Sequence, residues 1–90
     1  MPKKKVTSQG QSFKRGFGEV IRKFRAERGI TQIDLSQKLN VSQAFVSKME
    51  NGELILDTAQ FADFCRNFKL DPSSFLDLVQ KSIAKLSGGR

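Results

Sequence analysis

Apolar residues recur along this chain at intervals of three and four. Phe17, Val20, Ile21 and Phe24 make one such set, and Phe61, Phe64, Cys65 and Phe68 repeat its spacing. Each set forms a single stripe on an α-helix, and no stretch sustains the every-second-residue alternation of a half-buried strand. Between the two stripes lie shorter patterns. Leu35 and Leu39 point inward from a helix over about 32–39, with Ile33 against its flank. Val46 and Met49 form the buried side of another helix over about 42–50. Phe75, Leu76, Val79, Ile83 and Leu86 line a last helix. The pattern therefore predicts an all-α chain of five helices.

Polar punctuation agrees with these elements. Gly29 suits the left-handed position after the first helix. Thr31 is a candidate N-cap with Asp34 three residues on, and Asp57 with Gln60 repeats the arrangement. Ser42 caps the third helix, Asn51-Gly52 stops it, and Asp71-Pro72 opens the fifth. Asn40 stands where a sharp turn needs a left-handed residue, a conformation that Asn tolerates better than most. Val41 then plugs the turn into the core, and small Ser36 lets the second helix approach its partner.

The second and third helices, joined by a four-residue turn, have the layout of a helix-turn-helix whose second helix can lie in a DNA major groove. Ser42, Gln43, Ala44, Ser47 and Lys48 make the polar side of that helix. Charge strengthens this reading. The net charge is +7, and residues 1–15 alone carry Lys3, Lys4, Lys5, Lys14 and Arg15 with no acid. Residues 16–52 add a net +2, whereas 53–76 are net −2, so one end of the molecule favours a polyanion. Residues 1–12 are read as a disordered basic arm, with a solubilising tail as the alternative. The folded domain is expected over 13–86 and a disordered tail over 87–90.

Composition narrows the chemistry. The chain has no His and one Cys, so the commonest general base and the usual metal-ligand sets are missing. Neither a phosphate-cradling glycine loop nor a carboxylate pair stands out. No enzyme activity, cofactor, metal or small-molecule substrate is expected. No apolar run approaches the ~20 residues that cross a bilayer, so no membrane partner is expected and a cytoplasmic setting fits. Cys65 lies on an apolar stripe and reads as a small core residue. Phe61, Phe64, Phe68 and Phe75 read as core rather than as a base-stacking platform.

Residues from about 17 to 79 resemble the lambda/434 repressor and Cro type helix-turn-helix family, also called the XRE family. The resemblance rests on an ordered set: Arg25-Ala26-Glu27-Arg28-Gly29-Ile30-Thr31-Gln32, then Gln32 through Leu39, then Val41 through Gly52 with its Glu50-Asn51-Gly52 ending, then Phe61 to Phe75. Asn40 replaces the usual Gly and Ser36 the usual Ala, both tolerable. The resemblance implies a compact five-helix DNA-binding domain and a structural ion pair between Arg25 and Glu50. It also implies a phosphate contact at Gln32, where the orphan N–H groups of a helix N-terminus already favour an anion.

Candidate contacts divide into those that position and those that specify. Base reading is expected from Gln43, Ala44, Phe45 and Lys48, with Gln suited to adenine, Lys to guanine, and Ala44 and an exposed Phe45 to thymine methyls. Phosphate contacts are expected from Gln32, Ser42, Ser47, Asn51, Arg22 and Lys23. For Phe45 a surface-packing or dimer role stands beside the reading role. A domain of this size reads few base pairs, so the expected partner is double-stranded DNA bound by a homodimer. The two-fold contact would come either from Leu54, Ile55 and Leu56 or from helix five around Leu78 and Ile83. An antitoxin or protein-interaction module is the alternative function.

Overall fold

A computed structural model describes residues 2–88, with side chains over 10–86. Five helices follow in order: α1 Pro2–Arg28, α2 Gln32–Leu39, α3 Gln43–Glu50, α4 Thr58–Phe68 and α5 Pro72–Gly88. Among the described residues there is no strand. The arm expected over 1–12 has a helical backbone from Pro2. The side chains of 1–9 lie outside the described residues, and Gly10 and Gln11 are exposed. The tail expected over 87–90 likewise falls outside the described side chains.

The predicted caps form. Thr31 Oγ1 accepts from the Asp34 N–H at 3.0 Å while Asp34 Oδ2 accepts from the Thr31 N–H at 2.9 Å. Asp57 and Gln60 exchange the same two bonds at 2.8 Å each. Ser42 Oγ accepts from the Phe45 N–H at 3.0 Å. Asn40 is left-handed at φ 58°, and the N–H groups of Asn40 and Val41 return to the carbonyls of Gln37 and Ser36. These local bonds matter because α2 and α3 have eight residues each, too short to be stable alone.

Packing supplies the rest. α1 lies along α5 and against α3, and α2 bridges α3 and α4. Phe17, Ile21, Leu35, Val46, Met49, Phe64 and Val79 are buried at the centre. Seven of the eight phenylalanines join one ring network. Its edge-on contacts include Phe17–Phe75 at 5.6 Å and Phe24–Phe68 at 5.0 Å. Phe61 and Phe68 are only partly buried at its edge.

Several apolar positions differ from the pattern. Ile33 is 50% exposed because it sits two residues, or 200°, from Leu35. Leu76 and Leu86 are exposed rather than inward. Leu76 is turned 100° from buried Phe75, and Leu86 stands at the rim of a groove beside α1. Glycines make two close crossings possible. A Cβ on Gly16 would stand 2.7 Å from Ile83 Cγ1, and one on Gly18 would stand 2.3 Å from the Met49 carbonyl oxygen. Two residues apart on α1, these glycines face opposite ways and let α5 and α3 approach from either side.

Candidate nucleic-acid interface

The crossing at Gly18 sets the C-terminal end of α3 against α1, and a polar cluster builds on that contact. Arg25 Nε donates to Glu50 Oε2 at 2.7 Å and Arg25 Nη2 to Glu50 Oε1 at 3.0 Å, a two-pronged pair. A further Arg25 nitrogen donates to the Ile30 carbonyl at 3.2 Å, tying in the α1–α2 turn. The Glu50 side chain is 2% exposed and that of Arg25 20%. Burial by itself would raise the Glu50 pKa. The hydrogen bonds from Arg25 and Gln32 and the charges of Arg25 and Arg22 outweigh it and hold the carboxyl below its ordinary value. The hydrogen bond to Glu50 correspondingly raises the Arg25 pKa.

Gln32, at the first position of α2, extends this cluster outward. Its Nε2 donates to Glu50 Oε1 at 3.0 Å, and its Oε1 accepts from Gln43 Nε2 at 3.4 Å. The structure thus brings the expected phosphate residue Gln32 beside the expected base-reading residue Gln43. Nothing in the sequence joins positions 32 and 43; the turn between α2 and α3 does so.

The other candidates distribute over three places. Ser42 is exposed at the cap of α3, Gln43, Ala44 and Lys48 are exposed on the helix, Ser47 is half-buried, and Asn51 is exposed just past the helix end. Phe45, expected to be exposed, is half-buried and packs against the core. One helical step from buried Val46, its ring reaches the domain surface and has less area free for a thymine methyl. Arg22 turns toward the end of α3, donating to the Glu50 carbonyl at 3.2 Å with its Nε 3.9 Å from Glu50 Oε1. Its side chain is still half-exposed, so it can reach solvent near Asn51. Lys23 is not brought to this cluster: it lines the groove between α1 and α5 with Glu27 and Lys81.

Sequence reasoning missed Gly16 and Gly18 as parts of this architecture and read Gly52 only as a helix stop. Gly52 has φ 80°, and a Cβ there would stand 2.9 Å from Arg15 Cγ. The signal available was a pair of glycines, 16 and 18, inside an otherwise regular helical stripe. Such glycines have a packing reason when they are not caps.

Comparison with known proteins agrees with this geometry. The helix-turn-helix family model matches residues 21–75. Among solved structures, the clp gene regulator ClgR from Corynebacterium glutamicum aligns with a TM-score of 0.77 at 23% identity. The alignment covers 86% of this chain and 82% of ClgR. The restriction-modification controller protein C.Esp1396I aligns with a TM-score of 0.67 at 25% identity, over 79% of this chain and 91% of that one. A search of curated proteins finds no relative. The chain belongs to the helix-turn-helix family of the lambda/434 repressor and Cro type. At the level of class it is a DNA-binding transcription regulator.

Proposed function

We propose that this protein reads a pseudo-palindromic operator in double-stranded DNA as a homodimer, with α3 in the major groove. The observation that carries the proposal is the exposed row Ser42, Gln43, Ala44 and Lys48, on a helix whose other side is locked into the core. In this reading Gln43 and Lys48 meet base edges, Ala44 a thymine methyl, and the rim of Phe45 the adjoining sugar. Ser42, Ser47, Asn51, Arg22 and the N-terminus of α2 at Gln32 hold phosphates. Lys23, on the groove with α5, adds only to the general positive field, as does the basic arm over 1–12. The setting in which such a regulator meets DNA is the cytoplasm.

The α5 surface is the better supported two-fold contact. Leu78 is 51% and Leu86 43% exposed beside an open groove of about 500 Å³, whereas Leu56 is buried and Leu54 and Ile55 are half-buried. Exposed leucines grouped beside a groove are what a partner surface covers.

The test is selection from randomised duplexes at ~150 mM salt, where the screening length is about 8 Å. A two-fold symmetric motif with half-sites about 34 Å apart is expected. Gln43→Ala and Lys48→Ala should each flatten one position of each half-site. Absence of enrichment would overturn the operator-reading proposal and favour the protein-interaction alternative.

A further inference from the structure

Arg15, Gly18, Arg22 and Arg25 stand at i, i+3, i+7 and i+10 of α1 and so share one face of that helix. Gly18 marks where the C-terminal end of α3 crosses this face, and the three arginines frame the crossing. Their guanidinium groups are not equally committed. Arg25 is held by Glu50 through two hydrogen bonds. Arg22 donates to the Glu50 carbonyl at 3.2 Å while its side chain stays half-exposed. Arg15 is exposed, and among the described residues its guanidinium has no hydrogen-bond or ion-pair partner.

Arg15 and Arg22 line an open cleft of about 220 Å³ together with Asn51 and Gly52. Gly52 seats the stem of Arg15, since a Cβ there would stand 2.9 Å from Arg15 Cγ and 3.2 Å from its Cα. Two acids line the same cleft. Glu50 is committed to Arg25, and Glu19 forms no ion pair with either lining arginine. Three guanidinium groups thus stand around two carboxylates, so positive charge is in excess. That excess matters because the C-terminal end of a helix disfavours an anion unless cations outweigh its dipole.

The place of the cleft on the domain says which anion it suits. α3 has eight residues, a length of about 12 Å, which matches the ~12 Å width of the major groove. With its first turn at the base edges, its last turn reaches the phosphates of the groove wall. We propose that Arg15 is a DNA-backbone contact, which closes with Arg22 on one phosphate at the C-terminal end of α3. Arg15 lies outside residues 21–75, the segment that the family model matches, so this contact belongs to the present chain rather than to the shared motif. The inference rests on the reading of α3 as the major-groove helix. It adds a residue of α1, and with it one phosphate, to each half-site.

The experiment uses the full chain as wild type, Arg15→Gln and Lys69→Gln. Each variant loses one positive charge, but Lys69 ends α4 and does not line the cleft. Binding is measured over a salt series on the selected duplex and on a scrambled one. Arg15→Gln should weaken both about equally and leave the selected motif unchanged. Its slope of log affinity against log salt should be shallower by about 0.9, so that a fourfold rise in salt costs it about 3.5-fold less than it costs the wild type. Lys69→Gln should keep the wild-type slope. An unchanged slope in Arg15→Gln overturns the proposal. An equal change in the two variants also overturns it, because Arg15 then adds only to the general positive field.

A scan with one neutral methylphosphonate in each half-site locates the phosphate. One position should weaken binding by the wild type and have no effect on Arg15→Gln. Equal losses in the two proteins at every position overturn the proposal. A wild type that enriches no motif is a different result: the reading of α3 then fails first, and the inference falls with it.

Discussion

Arg25 and Glu50 are joined by two parallel hydrogen bonds, of 2.7 and 3.0 Å, that connect α1 to the C-terminal end of α3. The pair is asymmetric, since the carboxylate is almost fully buried and the guanidinium is partly in water. Arg25→Ala leaves a buried unpaired charge and should cost about 3–5 kcal/mol. Glu50→Ala leaves a cation that can reach solvent and should cost less. Arg22, 3.9 Å from the same carboxylate, is a reserve partner. The double variant Arg22→Ala/Arg25→Ala should therefore lose more than the two single losses added together. Urea unfolding of the four proteins in this cycle measures the coupling, and strict additivity would show that Arg22 does not compensate.

The same pair predicts how stability depends on pH. The folded Glu50 carboxyl is held below its ordinary value of 4.5, so it binds a proton less readily than in the unfolded chain. Its contribution is complete above that value and is lost as pH falls through it toward the lower folded value. Between pH 7 and pH 3 the Tm of the wild type should drop more steeply than that of Glu50→Gln. Parallel curves would mean that other carboxylates control the acid limb.

Two glycines in α1 should respond oppositely to alanine. At Gly10 an added Cβ meets nothing within 4 Å, so Gly10→Ala should leave stability unchanged or raise it by up to about 1 kcal/mol through helix propensity. At Gly18 the Cβ would stand 2.3 Å from the Met49 carbonyl oxygen and 3.0 Å from that of Glu50. Backbone cannot yield as a side-chain tip can, so Gly18→Ala should be clearly destabilising, by about 1–3 kcal/mol. It should also weaken DNA binding by displacing α3. Thermal melts of both variants, with binding of Gly18→Ala to the selected duplex, test the contrast.

Lys69 ends α4 in the left-handed conformation, with φ 54° and ψ 49°. A residue with a Cβ pays about 1–2 kcal/mol there, partly offset by the flexibility glycine has in the unfolded chain. Lys69→Gly should accordingly stabilise the protein by about 0.5–1 kcal/mol, whereas Lys69→Val should destabilise it. Equal midpoints in denaturant for the three proteins would contradict this account of the α4–α5 turn.

Removing residues 2–12 takes away Lys3, Lys4 and Lys5. If these lysines neutralise phosphates, the slope of log affinity against log salt should become shallower by up to about 3. The selected sequence motif should stay the same, because phosphate contacts carry no base information. Binding measured across a salt series, with and without the arm, gives the answer, and an unchanged slope would remove the arm from the interface.

The sequence by itself determined the five helices, their caps and the left-handed turn at Asn40. Each of these is encoded over at most eight consecutive residues, as in Thr31 with Asp34, Asp57 with Gln60, and the stripe from Phe17 to Phe24. It also determined which helix carries the exposed polar row, since Val46 and Met49 leave only one side of α3 free. Only the tertiary structure decided how that row is supported. Whether Phe45 is free, whether Arg22 turns toward solvent or toward the Glu50 carbonyl, and that Gln32 meets Gln43 all depend on where the helices cross. Lys69 carried no turn signal, because lysine has no preference for a left-handed backbone; the turn there is closed by the N–H groups of Lys69 and Leu70 on the carbonyls of Arg66 and Cys65. Local periodicity fixes the direction in which a side chain leaves its own helix. What it meets depends on the crossings at Gly16 and Gly18, where chain segments more than thirty residues apart come into contact.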